Sequence, residues 1–474
     1  MRLRAVAVLV AASCGSRTTD QPAPPAAPAA PPAVRPRPGL DLAGPIPLPE
    51  RRGPARSGAT APAMLDLAAD RAVTKVDVPR PPIGGAVGFE FADEHRGWVT
   101  RIPESVQLPA VAYGDGRIYV SGGFESTSFY ALDATTGTIQ WATTALEDNG
   151  PTAAIFEDDR VVFNTESCTL FALDAKTGKR LWHRFLGDPT LAQIAVADGL
   201  VFSAHPAEGG QELSAYRVKN GAWVWSRYVG SELLAAPVIH GDSVYASTTG
   251  GMTYRFERAT GKRVWQKPLR ATTAPWVAGD ELYVTRKKAG KEQQVVVAAA
   301  TGEIMREHDT ASGSYAADVP QGIADWKQVW AFEGSRPVVD RGVRYVAMGG
   351  ELRATDAATG ELLWHRRYAL AKAEQRALGS VALAGSQIVV ATRDGTLFGL
   401  DVDTGYTLWS YDIGHKVIAE PVIAKGWVYA TTQDGYVVAL SVGDPSLDGW
   451  HMFGGNPRHD GPVVPRASET SDRT

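Results

Sequence analysis

The stretch Ala131-Leu132-Asp133-Ala134-Thr135-Thr136-Gly137-Thr138-Ile139-Gln140-Trp141 decides the fold, because its pattern D-x-x-T-G-x-x-x-W returns along the chain. Complete copies stand at Asp133–Trp141, Asp174–Trp182, Asp356–Trp364 and Asp401–Trp409. Weaker copies run from Arg217 to Trp225 and from Glu257 to Trp265. The most worn runs from Ala298 to Arg306, where Thr301-Gly302 survives and Arg306 takes the tryptophan place. With Trp98 the series reads 98, 141, 182, 225, 265, 306, 364, 409, at spacings of 43, 41, 43, 40, 41, 58 and 45. A second register keeps the same beat. An alternating apolar strand follows a Gly/Asp turn at Gly116-Arg117-Ile118-Tyr119-Val120, with equivalents centred on Val162, Phe202, Tyr245, Tyr283, Tyr345, Val389 and Tyr429.

A repeat of about 42 residues holds four strands of about 5–6 residues and four short connections. That is the size of one propeller blade, and the period-3.6 stretches of a helical solenoid are missing. The expected fold is all-β: an eight-bladed β-propeller of four-stranded antiparallel blades. The phrase has a mechanical reading. Asp and Thr accept turn hydrogen bonds, Gly supplies a positive φ, and the Trp ring packs between neighbouring blades. Trp98, Trp141, Trp182, Trp225, Trp265, Trp364 and Trp409 are therefore read as structural blade-docking residues. Trp98 has no turn phrase before it and Ser441 has none after it, so one blade is divided between the ends of the array. A strand within Phe91–Ile102 is expected to close the ring and remove its open edge. Trp450, nine residues past Ser441, is a rival for that place, disfavoured by Pro445.

The chain has 474 residues, 44% hydrophobic and 21% charged, with Lys+Arg 48 against Asp+Glu 52 and a net charge of −4. The basic excess of a nucleic-acid binder is lacking, so no nucleic-acid partner is expected. The first residues, MRLRAVAVLVAASC, combine Arg2 and Arg4 with a short apolar run and then Cys14, the pattern of a secretory signal with a lipidated cysteine. Twelve of the 31 prolines fall between Pro22 and Pro54, interleaved with alanine; such a segment stays extended rather than packed. The expected organisation is a signal at 1–14, a Pro/Ala-rich disordered linker at 15–88 with a weakly helical patch near Ala63–Val73, the propeller at 89–450, and a tail at 451–474. The interval from Arg306 to Trp364 exceeds the usual spacing by about 16 residues and is rich in aromatics. Tyr315, Trp326 and Trp330 there are a candidate protein interface, with covering of the weakest blade as the other reading.

The A-L-D-x-x-T-G-x-x-x-W repeat resembles the tryptophan-docking repeat of the pyrroloquinoline quinone (PQQ) propeller superfamily. That superfamily holds both quinoprotein alcohol dehydrogenases and the non-catalytic BamB-type lipoproteins of outer-membrane protein assembly. The segment Trp450-His451-Met452-Phe453-Gly454-Gly455-Asn456-Pro457-Arg458-His459-Asp460-Gly461 resembles a short W-x-M-F-x-x-x-P-x-x-x-G element found beside such repeats. The dehydrogenase resemblance would imply an adjacent Cys-Cys pair, Ca²⁺ ligands and an Asp base. Cys14 and Cys168 are the only cysteines, and no carboxylate cluster marks the six to eight oxygens of a calcium site. No catalytic, cofactor or metal residue is assigned, and PQQ and Ca²⁺ are not expected. The layout implies a BamB-like scaffold, a monomer lipid-anchored through Cys14 on the periplasmic face of the outer membrane, with protein partners, possible members of the assembly machinery. A PQQ/Ca-dependent oxidoreductase and a small-molecule or glycan-binding module are the alternatives.

Overall fold

The computed structural model describes residues 63–463 apart from 93, 104–106, 145, 188–192, 289–290, 310–336, 349 and 369–377. Thirty-five strands, β1 to β35 in chain order, form eight antiparallel blades, and the described residues contain no helix. Blade 1 runs from Ala112 to Thr143 (β5–β8), blade 2 from Ile155 to Phe185 (β9–β12), blade 3 from Ala195 to Tyr228 (β13–β16), and blade 4 from Val238 to Lys267 (β17–β20). Blade 5 spans Trp276–Asp309 (β21–β24), blade 6 Val338–Arg367 (β25–β28) and blade 7 Ala382–Asp412 (β29–β32). Blade 8 combines Val422–Ser441 (β33–β35) with β4, His95–Arg101, which pairs antiparallel with β35 so that Trp98 faces Ala439. The two ends of the array thus share one sheet, as the repeat count required.

The repeat phrase builds the seams. In blade 2 the Asp174 Oδ1 accepts the N–H and hydroxyl of Thr177, and the Gly178 N–H closes back on the Asp174 carbonyl at 2.8 Å. Gly178 has φ +71, and the Trp141 ring from blade 1 lies so close that a Cβ there would come within 2.5 Å of it. Glycine is needed both for the turn and for the indole's approach. Each Trp then donates its indole N–H to a carbonyl of the next blade's turn: Trp98 to Ala134, Trp141 to Ala175, Trp182 to Val218, Trp225 to Arg258, Trp265 to Ala299 and Trp364 to Val402, at 2.7–3.1 Å. Four second strands add a tyrosine to the same carbonyls. Tyr429 shares Ala134 with Trp98, and Tyr119, Tyr245 and Tyr345 do likewise at Ala175, Ala299 and Val402.

Two seams depart from the rule. Arg306 bonds Glu281 of its own blade at 2.7 Å and its charge helps hold the blade 6 turn carboxylate Asp356 below its ordinary value, while His308, two residues on, covers Gly360. Trp409, buried in one cluster with Val428, Ala430, Val438 and Leu440 of blade 8, departs in its hydrogen bond: its indole N–H goes to the Gln387 side chain within blade 7, at 3.0 Å. The reason is that its neighbour is the closing blade, which has no third-to-fourth-strand turn of this type. His95 lies over Gly443 there instead.

The region expected to be linker also needs correction. Its last part, residues 63–88, lies along the outside of the ring. β1 (Leu65–Asp66) pairs parallel with β28, β2 (Thr74–Lys75) pairs parallel with β32, and β3 (Ala86–Phe91) pairs antiparallel with β4. Blades 6, 7 and 8 are therefore five-stranded. The patch near Ala63–Val73 forms a short strand and a turn rather than a helix. Leu67 and Val76, both buried, follow the two short strands and donate their N–H groups to Arg367 and Asp412.

The tightness of the glycine seam predicts that Gly178→Ala loses about 3 kcal/mol, from a left-handed backbone and an overpacked indole. A thermal melt showing no loss would contradict the seam. The turn carboxylates supply a pH signature. Hydrogen bonds from Thr177 hold Asp174 below its ordinary value; at Asp133 burial opposes, but bonds from Thr135 and Thr136 outweigh it. A depressed carboxylate stabilises the fold above its unfolded value of about 4 and loses that contribution as pH falls through the folded value. The melting temperature should therefore be level from neutrality to mild acid and fall below pH about 4, less steeply in Asp174→Asn.

Candidate functional site

The first strand of each blade lines the central channel, and its inner edge has no neighbour within the blade. Two to three residues ahead of these strands in blades 1, 2, 4 and 8 stand Ala110, Ala153, Ala236 and Ala419. They leave a hollow of small apolar walls. The chain fills it with its own C-terminal segment.

From Leu447 to Val463 the chain crosses the mouth of the channel at the end bearing the turns after the first strands. There the Ile423 N–H donates to the Trp450 carbonyl at 2.7 Å, and Tyr113 donates to His451 at 2.6 Å. Val196 donates to Pro457 and Ile239 to Arg458, at 2.8 and 2.9 Å. Blades 8, 1, 3 and 4 are thereby tied to one strip of chain. Trp450, fully buried, stacks on Trp276 of blade 5 with ring centres 6.4 Å apart and planes 6° apart. Phe453 packs among Ala110, Ala153, Ala236 and Ala419. Glu420, buried at the head of blade 8, accepts the Trp450 indole N–H at 2.6 Å and the Gly454 N–H at 2.8 Å. Buried His459 sets its ring nitrogens 2.6 and 2.7 Å from the carbonyl oxygens of Phe453 and Ile194. Ion pairs tie down the rim: Asp448 with Lys425 at 2.6 Å and Arg458 with Asp198 at 3.0 Å. Burial opposes ionisation of Asp448, but bonds from Lys425 and His451 keep its carboxyl below the ordinary range.

The reading of residues 451–474 as a tail is thus corrected for 451–463, which are part of the core. Trp450 competes for no place in the closing blade; it enters the channel. Among the described residues, no three His, Cys, Asp or Glu side chains come together as a metal site. Cys168 is buried on the second-to-third-strand turn of blade 2, and burial pushes its thiol up to about 12, far from a reactive thiolate. The described channel residues are small alanines, the Phe453 ring, and the Glu420 carboxylate, which is engaged by the segment itself. Cys14, Tyr315, Trp326 and Trp330 lie outside the described residues; the last three fall between β24 and β25.

The family described as outer membrane protein assembly factor BamB matches residues 84–308 and 314–449. The chain belongs to the BamB family. Its curated relatives include the outer membrane protein assembly factor BamB of Yersinia pestis, 25% identical over 289 residues, 58% of this chain and 69% of that protein. The Shewanella oneidensis BamB is 20% identical over 280 residues, covering 56% and 68%. Among solved structures, BamB from Moraxella catarrhalis superposes with a TM-score of 0.55 at 20% identity, covering 75% of this chain and 98% of that one. A quinohemoprotein alcohol dehydrogenase from Pseudomonas putida HK5 gives a TM-score of 0.55 at 15% identity, covering 73% and 75%. Both structural likenesses concern the fold.

The channel segment was only partly legible. The W-x-M-F-x-x-x-P-x-x-x-G element stood out in the sequence, but many of its partners are backbone groups and alanines, which leave no mark of their own, and Trp276 and Glu420 stand outside any repeated phrase. Its burial predicts that Phe453→Asp lowers stability by about 3–5 kcal/mol, through a lost aromatic contact and a carboxylate forced among alanines. A melting temperature equal to that of the unaltered chain would show that the segment does not hold the channel in solution.

Proposed function

We propose that this chain is a non-catalytic, lipid-anchored propeller. In this reading it presents a rigid ring as a protein-binding scaffold on the periplasmic face of the outer membrane, in outer-membrane protein assembly. The observation that carries the reading is the central channel: the place where a propeller of this superfamily could house a cofactor is filled by Trp450, Phe453 and their hydrogen bonds. A ring closed in this way has its blade edges and loop faces left for work, and those are surfaces that suit polypeptide rather than a small substrate. Membership of the BamB family supports the assembly role, since its curated relatives carry that role in their names. Cys14 after the apolar run supports the anchor.

Affinity capture from detergent-solubilised envelope tests the role: components of the assembly machinery should co-purify, and their absence would count against it. Cys14→Ser should release the protein from the membrane fraction, whereas continued retention would refute the lipid anchor. Added PQQ and Ca²⁺ should produce neither spectral binding nor dye-linked oxidation, and activity would overturn the non-catalytic reading.

A further inference from the structure

Outer strands of blades 6 and 7 show how this ring holds an extended polypeptide. β1 and β2 pair with only the last two residues of the strands they cover, Arg366-Arg367 and Tyr411-Asp412, two and three residues beyond the docking tryptophans. Around β1 the contact has four parts, one of them from blade 7. The Leu67 N–H donates to the Arg367 carbonyl at 2.7 Å, and the Leu67 side chain is buried. The Thr407 hydroxyl donates to the Leu67 carbonyl at 2.6 Å, and Asp70 lies 3.6 Å from the guanidinium of Arg366. Arg366 also reaches forward to the Thr404 carbonyl in the docking turn of blade 7.

The same ledge recurs on blades 2 and 3. Trp182-His183-Arg184 and Trp225-Ser226-Arg227 repeat the spacing of Trp364-His365-Arg366. Arg184 donates to the Gly221 carbonyl at 2.7 Å and Arg227 to the Thr260 carbonyl at 2.9 Å, each in the next blade's turn, as Arg366 does. The difference is cover. The Arg366 side chain is 4% exposed beneath β1, whereas β12 (Arg180–Phe185) and β16 (Trp223–Tyr228) are outermost strands with no described strand beside them. At the ledge ends Phe185 is 66% exposed and Tyr228 51%, with Trp223 at 59% nearby. The outer strands of blades 2, 3 and 4 contain no Asp or Glu, yet carry Arg180, Arg184, Arg227, Arg263 and Lys267, in a chain whose net charge is −4. Glu147 pairs with Arg180 and approaches His183, and leaves Arg184 on its ledge.

We propose that the ledges Arg184-Phe185 and Arg227-Tyr228 bind an extended acidic and aliphatic segment of a partner protein by parallel strand addition, in the manner in which Leu65-Asp66-Leu67 and Asp70 cover Arg366-Arg367. Backbone pairing supplies the adhesion and the arginines select the charge. On blades 6 and 7 the paired residues Asp66 and Lys75 are nine positions apart, so a segment crossing from blade 2 to blade 3 needs a step of about nine positions from one contact to the next. The proposal rests on the scaffold reading and names the partner's chemistry and its place of docking.

The test uses the full chain and a fluorescein-labelled peptide of residues 63–78 as probe, read by anisotropy. Saturable binding is expected, weakened at least tenfold by Phe185→Glu with Tyr228→Glu and abolished by a scrambled peptide. Arg184→Lys with Arg227→Lys should keep most of the binding, and thermal melts confirm that each variant is folded. Unchanged binding in the Glu variant would overturn the proposal, since the peptide would then be replacing β1 and β2 or lying elsewhere. So would absent binding, or retention of phosphatidylglycerol vesicles through the same residues in place of the peptide. No cellular partner enters the titration, so its failure leaves the scaffold reading intact, and a failed affinity capture leaves the ledge result intact.

Discussion

The ring depends on one contact made repeatedly: an indole from one blade lies on the turn glycine of the next and donates its N–H to that turn's carbonyl. The contact binds neighbours whose backbones share no hydrogen-bonded ladder. It succeeds because three requirements fall on one short phrase. Asp and Thr fix the turn, glycine lets the ring approach, and the Trp eight residues after the Asp is aimed at the following blade. A β-bulge immediately before the docking position helps with that aim. It recurs at Gln140 in blade 1 and Leu181 in blade 2, where the strand pairing slips by one residue. Tyr119, Tyr245, Tyr345 and Tyr429 make four of the seams double by bonding the same carbonyl from the second strand. Burial raises the Tyr119 hydroxyl to about 12, which keeps it a donor at any physiological pH.

This coincidence of requirements explains why the blades were legible in the sequence. Asp174, Gly178 and Trp182 each answer a physical demand that few other residues meet, and the demand returns once per blade. The parts that escaped have no such signature. β1 and β2 are two residues long, too short for a period of two to be seen. They lie in a region whose alanines and prolines resemble the composition of the residues before it. The channel segment hides for a related reason: Tyr113, Val196, Ile239 and Ile423 bind it through main-chain N–H groups, which any residue could offer. At Trp409 the phrase is complete but the blade beside it is the composite one, and where the indole N–H goes is decided by the neighbour's turn rather than by its own.

Closure of this ring is therefore threefold. β4 completes blade 8, the covering strands bind the outsides of blades 6 to 8, and the C-terminal segment joins the inner strands of blades 8, 1, 3 and 4. These devices act at different radii, and each takes up backbone donors or acceptors that the repeat leaves over. A repeat array has a surplus of edges by construction, since every blade adds an inner and an outer strand with one side unpaired. The inner surplus is met by Trp450, His451, Pro457 and Arg458, with Phe453 packed among Ala110, Ala153, Ala236 and Ala419.

The outer surplus is met unevenly, and the unevenness follows charge. On blade 6 the arginine of the Trp-x-Arg ledge is covered by a strand that brings Asp70 to it. On blades 2 and 3 the same arginines hook the next turn and stand at an open edge beside Phe185 and Tyr228. Bulges blunt these edges, yet the bulge in β28 does not stop β1 from pairing, because β1 uses the two residues past the tryptophan, beyond the distortion. A bulged edge is therefore protected along most of its length and open at its end. That combination limits pairing between flat edges, which drives aggregation, while leaving a two-residue foothold for a segment whose side chains match the arginine beside it.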